Sequence, residues 1–247
     1  MSVRPKTLKK IPKIAAARSP DRGPVPAEAR MYDDLIHAII DQRLRPGIRL
    51  NEVHLAKAYG LARPRVRRVL NRLAANNIVD FRLNLGAFIR RPSPEEARNV
   101  YQTRRFLEAG VVETVASRPE GRDFSKLKEF VAKEKDAYLR PQPGVHRLSS
   151  DFHVVLAQLA GNQVTTEILT RLIHRCCLIQ SLYMTAAGAP CLTHDHEELI
   201  DHLQRADVRG ALEIHNRHFD HIEASLLLER VHDDLIDAGT ASSDFGF

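Results

Sequence analysis

The stretch "GLARPRVRRVLNRL" (residues 60–73) decides how this chain is read, because it carries five arginines and an apolar stripe together. At about 100° per residue, Val66, Val69, Leu70 and Leu73 share one arc of a helix. Arg63, Arg67 and Asn71 run beside that arc at i, i+4 and i+8, while Arg65, Arg68 and Arg72 fall on the far side. A charge run without a period would be a solvated tail. This one is an amphipathic helix with a broad basic face.

The flanks give that helix a setting. From Glu28, apolar Met31, Leu35, Ala38 and Ile39 recur at helical spacing. Pro46 and Gly47 then make a turn in "LRPGIRL" (44–50), and "EVHLAKAY" (52–59) is a short helix stopped by Gly60. After the arginine helix, expected over about 63–76, "IVDF" (78–81) and "GAFIRR" (86–91) read as two strands around "RLNL". Helix, helix, turn, helix and hairpin is the order of a winged helix-turn-helix. In such a module the second helix of the pair enters the DNA major groove with its N-terminal residues on base edges. Arginine suits that position because its fork bonds guanine O6 and N7 together. Arg63 and Arg67 are therefore assigned to base readout, and Arg65, Arg68 and Arg72 to phosphates or solvent.

"RPSPEEA" (91–97) marks the end of this module. Ser93 can cap a helix, Pro94 suits its first position, and Glu96 completes a capping box. Everything beyond reads as helix, over about 94–117, 124–139, 147–160, 163–185, 193–205 and 208–231. The expected fold class is mainly α, a winged helix-turn-helix followed by an all-helical bundle. The expected division is a basic disordered arm over 1–27, a DNA-binding domain over 28–91, a ligand-sensing and dimerisation domain over 92–236, and a flexible tail over 237–247.

Charge follows the same division. Residues 1–92 hold 20 basic and 7 acidic side chains (+13), and residues 93–247 hold 17 and 24 (−7). A basic first part joined to an acidic remainder points to nucleic acid as a partner of the first part. Three cysteines (Cys176, Cys177, Cys191) are too few for a disulfide framework and match no common zinc spacing. No segment resembles a signal peptide or a membrane span, so a soluble cytoplasmic protein with no membrane partner is expected.

Ten of the twelve histidines lie at or beyond His146. His153 shares a helix face with Leu156 and Ala160, His196 with Leu199, Ile200 and Leu203, and His215 and His218 with Ala211 and Ile222. One histidine on an apolar face is ordinarily a satisfied core residue. Several on converging faces admit a metal site, since neutral imidazole is a common ligand for zinc and similar ions. His194 and His202 point toward solvent.

The run "YDDLIHAIIDQRLRPGIRLNEVHLAKAYGLARPRVRRVLNRLAANNIVDFRLNLGAFI" resembles the N-terminal domain of GntR-family transcriptional regulators. The resemblance places family recognition arginines on Arg63 and Arg67 and the wing glycine on Gly86. Ala62, Pro64, Arg65 and Arg68 depart from the family pattern. Losing the usual Ser cap at position 62 costs about 1 kcal/mol.

"VYQTRRFLEAGVVETVA", "FHVVLAQLAGN" and "HEELIDHLQRADVRGALEIHNRH" resemble the all-helical (FCD-type) effector domain of the FadR-like branch. In metal-containing members, three histidines and an Asp hold a divalent ion, and the effector carboxylate often completes the shell. Those histidines map onto His153, His196 and His218, and Arg104 matches an arginine that contacts anionic effectors. The Asp position is Ser149 here, a poor ligand, and Asp151 lies about 200° around the helix from His153. His215 is left as a supporting group or a replacement ligand.

The resemblance implies a homodimeric regulator of a double-stranded operator, a repressor in function class and not an enzyme, sensing a small carboxylate. Two arrangements of the pocket stay open: a divalent metal (zinc first) or a metal-free site binding the acid directly. A three-histidine zinc hydrolase is the rival from another class. It lacks a general base in motif context and leaves the basic helix unused.

Overall fold

The computed structural model describes residues 26–139, 145–184 and 193–229. Its first unit is α1 (Ala27–Ile40), β1 (Arg49–Leu50), α2 (Glu52–Tyr59), α3 (Arg63–Ala75), β2 (Val79–Arg82) and β3 (Gly86–Ile89). The apolar stripe of the arginine helix is what holds it: Val66, Leu70 and Leu73 are fully buried against Met31, Leu35 and Ile39 of α1. Asn51 caps α2, its side chain accepting from the N–H groups of Val53 and His54. α3 starts without a side-chain cap at Ala62, and Pro64 sits in its first turn.

The expected two-strand hairpin is a three-stranded antiparallel sheet of order β1-β3-β2. β1 comes from the segment read as a turn. Gly47 N–H donates to Ile89 O (2.8 Å) and Ile89 N–H to Ile48 O (2.9 Å), which lays Arg49 and Leu50 along β3. Two residues are too few to display an alternation, so nothing in the sequence announced this strand.

The second unit is α4 (Pro94–Ser117), α5 (Ser125–Leu139), α6 (Val145–Leu159), α7 (Gln163–Tyr183), α8 (Thr193–Gln204) and α9 (Val208–Ala224). One apolar cluster runs through all six. α9 stops at Ala224, not near 231 as the periodicity suggests. Leu227 N–H donates to Tyr183 O (3.0 Å), and buried Leu226 pairs with Met184, so the end of α7 takes the groups that would have continued the helix.

The capping box at α4 is half made. Ser93 accepts from Glu96 N–H (3.1 Å), but the Glu96 carboxylate takes two bonds from Arg90 (both 3.0 Å) and one from Arg175 (2.8 Å). Bonds to guanidinium are about twice as strong as those to a neutral N–H, which explains the choice. Tyr183 OH also donates to Pro92 O (2.7 Å), so the segment between the two units is clamped from α7.

α7 serves two cores. Leu169, Leu172, Cys176 and Ile179 belong to the bundle, whereas Ile173, Cys177 and Leu178 complete the cluster around α1 and α3. His174 lies at this junction, and burial together with repulsion from His37 lowers its pKa to about 4. The fold holds the neutral ring, so its contribution to stability is complete above pH 6.5 and is lost as pH falls toward 4. Thermal melts should therefore weaken across that window, by at most about 1.4 kcal/mol per pH unit from this group. His174→Leu should flatten the slope; an unchanged slope would refute the assignment.

Cys176 and Cys177 are buried and form no disulfide among the described residues. No helix among those residues is long and apolar enough to cross a membrane. Apart from Pro26 and Ala27, the arm expected over 1–27 lies outside the described residues, as do Cys191 and the tail over 237–247.

Candidate DNA-reading surface and histidine centre

Arg63 and Arg67 line a groove of about 690 Å³ between α3 and the β2–β3 wing, together with Arg49 and Arg82. Arg63 lies 3.8 Å from Glu52, and the Arg67 guanidinium stands 5.9 Å from the Phe81 ring. Gly86 opens β3 with φ +95°, a conformation that favours glycine, and so lets the wing turn back over the groove. Asn71 is exposed beyond Arg67 and does not line the groove.

The other three arginines turn toward α1. Arg68 donates to Glu28 (2.8 Å), Arg65 lies 3.3 Å from the same carboxylate, and Arg72 stacks 3.9 Å over Tyr32. The hydrogen bond from Arg68 holds the Glu28 carboxyl below its usual range. These side chains, expected at phosphates or in solvent, remain exposed. Glu28 lies 40 residues from Arg68 in sequence, which is why the pairing could not be read. Arg49 and Arg82 were missed because their segments carried no periodic signal.

In the helical unit, His153, His196 and His218 are buried, and one ring nitrogen of each lies within 4.8 Å of the others. They come from α6, α8 and α9. The Nε2 atoms of His153 and His196 are 3.3 Å apart. Phe152 stacks on the His196 ring (centroids 4.0 Å) and holds its plane.

Each of these rings has a carboxylate at Nδ1, each from a different helix. Glu108 of α4 lies 2.5 Å from His153, Glu134 of α5 lies 2.8 Å from His196, and Asp195 of α8 lies 3.5 Å from His218. An imidazole that donates Nδ1–H to a carboxylate presents Nε2 as a lone pair, the arrangement that supports metal-binding histidines. Two lone pairs facing each other at 3.3 Å repel unless a cation lies between them. Nitrogens bound at about 2.0–2.1 Å to a tetrahedral ion lie about 3.3–3.4 Å apart. The donor set fits a divalent ion.

Burial would raise Glu108, but Arg104, whose Nε donates to it at 3.0 Å, and His153 hold it well below the usual carboxylate range. Burial lowers His153 well below the ordinary imidazole value. Burial would also raise Asp195, yet the His218 ring 3.5 Å away and hydrogen bonds with Arg217 and His221 hold it low. His215 is buried beside Phe219, neither ring nitrogen has a hydrogen-bond partner among the described residues, and burial lowers its pKa to about 4. Ser149 is buried one turn before His153. His194 is exposed, and His202 bonds Asp207 (2.7 Å).

The three carboxylates were not read from the sequence. A signal existed: Glu134 falls at i+7 from Leu127 and i+3 from Val131 on an inward stripe, and Glu108 follows Tyr101 and Arg104 on another.

Residues 27–89 match the bacterial regulatory proteins of the gntR family, and residues 99–221 match the FCD domain. This chain belongs to the GntR family. It is a DNA-binding transcriptional regulator of the GntR/FCD type. The HTH-type transcriptional regulator YdhC of Bacillus subtilis is 23% identical over 203 residues, covering 80% of this chain and 90% of that protein. The HTH-type transcriptional repressor RspR of Escherichia coli is 22% identical over 203 residues, 81% of this chain and 89% of its own length. Among solved structures, a GntR transcriptional regulator from Rhodococcus sp. RHA1 aligns with a TM-score of 0.71 and 26% identity, over 80% of this chain and 95% of that one. The gntR match contains the arginine groove, and the FCD match contains the three histidines with Glu108, Glu134 and Asp195.

Proposed function

We propose that this GntR-family regulator is a homodimeric repressor whose FCD domain binds a small carboxylate through a divalent metal, zinc first, held by His153, His196 and His218. The observation that carries the reading is the 3.3 Å approach of two Nε2 atoms whose rings are each held at Nδ1 by a buried carboxylate. Bound there, the ion would supply a Lewis-acid contact for the effector's oxygen. Arg104, Ser149 and His215 are the groups assigned to the effector itself. Arg104 brings positive charge, and both ring nitrogens of His215 are available to an incoming polar group.

α7 supplies a route to the DNA. It packs against α1, α4 and α6, so a shift of the bundle around the effector moves the heads and changes the spacing of Arg63 and Arg67 in the two protomers. The sense, repression, is argued from the likeness to RspR. The dimer is supported by exposed Phe106 on α4 and by Val164 and Ile168 on α7, two helices that pack on one another. Sedimentation of the wild type and of Ile168→Glu tests this; equal masses would count against that face.

Metal analysis of the purified protein, with thermal melts on adding Zn²⁺, tests the centre. About one ion per chain and a raised Tm are expected. Neither being found would favour the second reading, a metal-free pocket that binds the acid directly. That reading draws on Ser149, a neutral residue where the family's anionic ligand stands. Glu134→Gln keeps the shape but weakens the hold on His196, and should cost about 10–100-fold in zinc affinity by chelator competition. Unchanged affinity would remove Glu134 from the site.

A further inference from the structure

The wing tip has a composition unlike a solvent turn. Leu83, Asn84 and Leu85 make the turn between β2 and β3, with Asn84 at φ +60° and Leu85 N–H donating to Arg82 O (3.1 Å). Turns of this kind favour Gly, Asn, Asp and Ser. Here Leu83 is 89% exposed and Leu85 52%. Val53 and Phe81 are exposed as well, and with Leu83 they line the same groove as Arg49, Arg63, Arg67 and Arg82. An apolar ridge therefore borders a surface of four guanidinium groups.

That charge selects the occupant. A second protein copy would bring its own arginines against these, whereas a polyanion satisfies them. With α3 in the major groove, about 12 Å wide, the hairpin beside it reaches the neighbouring minor groove, about 6 Å wide. Leucine side chains serve there as wedges that part base steps, and TA and CA/TG steps yield most easily.

We propose that Leu83, backed by Leu85, is an apolar reader of the operator's minor groove that favours deformable pyrimidine–purine steps flanking each half-site. Arg82 beside it binds the groove's phosphate wall. This rests on the DNA-binding reading and adds sequence preference at positions outside the reach of Arg63 and Arg67.

The test uses the full chain and duplexes selected from a random pool, then varied only in the flanks: TA-containing, G·C-rich or A-tract. Wild type should prefer the TA flanks. Leu83→Ser with Leu85→Ser should lose that preference and bind its best duplex roughly 10-fold more weakly, in the range of one mismatched base pair. Its slope of log K against log salt should stay unchanged, since no charge is removed. Leu83→Met should keep the flank preference. The exposed positions predict an unchanged Tm, and the Leu83→Ser single variant is the substitute if the double variant melts lower. Flank preference surviving in both serine variants overturns the proposal, and so does a serine variant whose only change is in oligomeric mass. Loss of all sequence-specific binding in the wild type would instead sink the DNA reading, which separates the two failures.

Discussion

Arg63→Ala combined with Arg67→Ala is expected to lower specific operator affinity by roughly 30-fold to 10⁴-fold, from about 1–3 kcal/mol for each bidentate base contact. Both side chains are exposed in the groove, and neither supports the core of α3, so the variant should fold normally. Non-specific binding should fall much less, because the other arginines remain to meet phosphates. The control is Arg65→Ala with Arg68→Ala. Both side chains are tied to Glu28, so their loss should be the smaller one. Electrophoretic shifts on specific and scrambled duplexes across salt concentrations read both outcomes. An intact specificity ratio in the Arg63/Arg67 variant would defeat the base-reading assignment.

The second large effect concerns the histidines, and the choice of position matters. His196→Ala strands Glu134, which is 0% exposed and has His196 as its ion-pair partner. Leaving a buried charge unpaired costs about 3–5 kcal/mol whether or not a metal is present. His218→Ala is cleaner, because Asp195 keeps Arg217 (2.8 Å) and His221 (3.1 Å). It should reduce bound zinc from about one per chain to a small fraction. It should also abolish the rise in Tm on adding metal, which at 100 times Kd is worth about 2.7 kcal/mol in the wild type. A His218→Ala protein that retains stoichiometric zinc would exclude His218 as a ligand.

How much of this was legible depends on the distance over which each feature is encoded. The faces of α3, the cap at Ser93, and the inward placing of His153, His196, His215 and His218 are local, and spacing alone carries them. The three carboxylates at the imidazoles come from α4, α5 and α8, and no spacing rule joins Glu134 to His196, 62 residues away. Position 149 shows the limit from the other side. The sequence displayed the loss of an anionic ligand, but the structure shows negative charge supplied behind the rings, at Glu108, Glu134 and Asp195, where a motif does not look. Glu96 likewise fitted a capping box until Arg90, six residues before it, and Arg175 of α7 claimed its carboxylate.

The helix α7 has one more consequence. Because Ile173, Cys177 and Leu178 fill the core around α1 and α3, a head cut off near residue 92 would present bare apolar surface where those side chains had been. The DNA-binding module is therefore not a detachable cassette. Because the two regions share this apolar cluster, they are expected to unfold together, and a lesion deep in the helical unit is expected to cost the protein its grip on DNA without touching a single arginine.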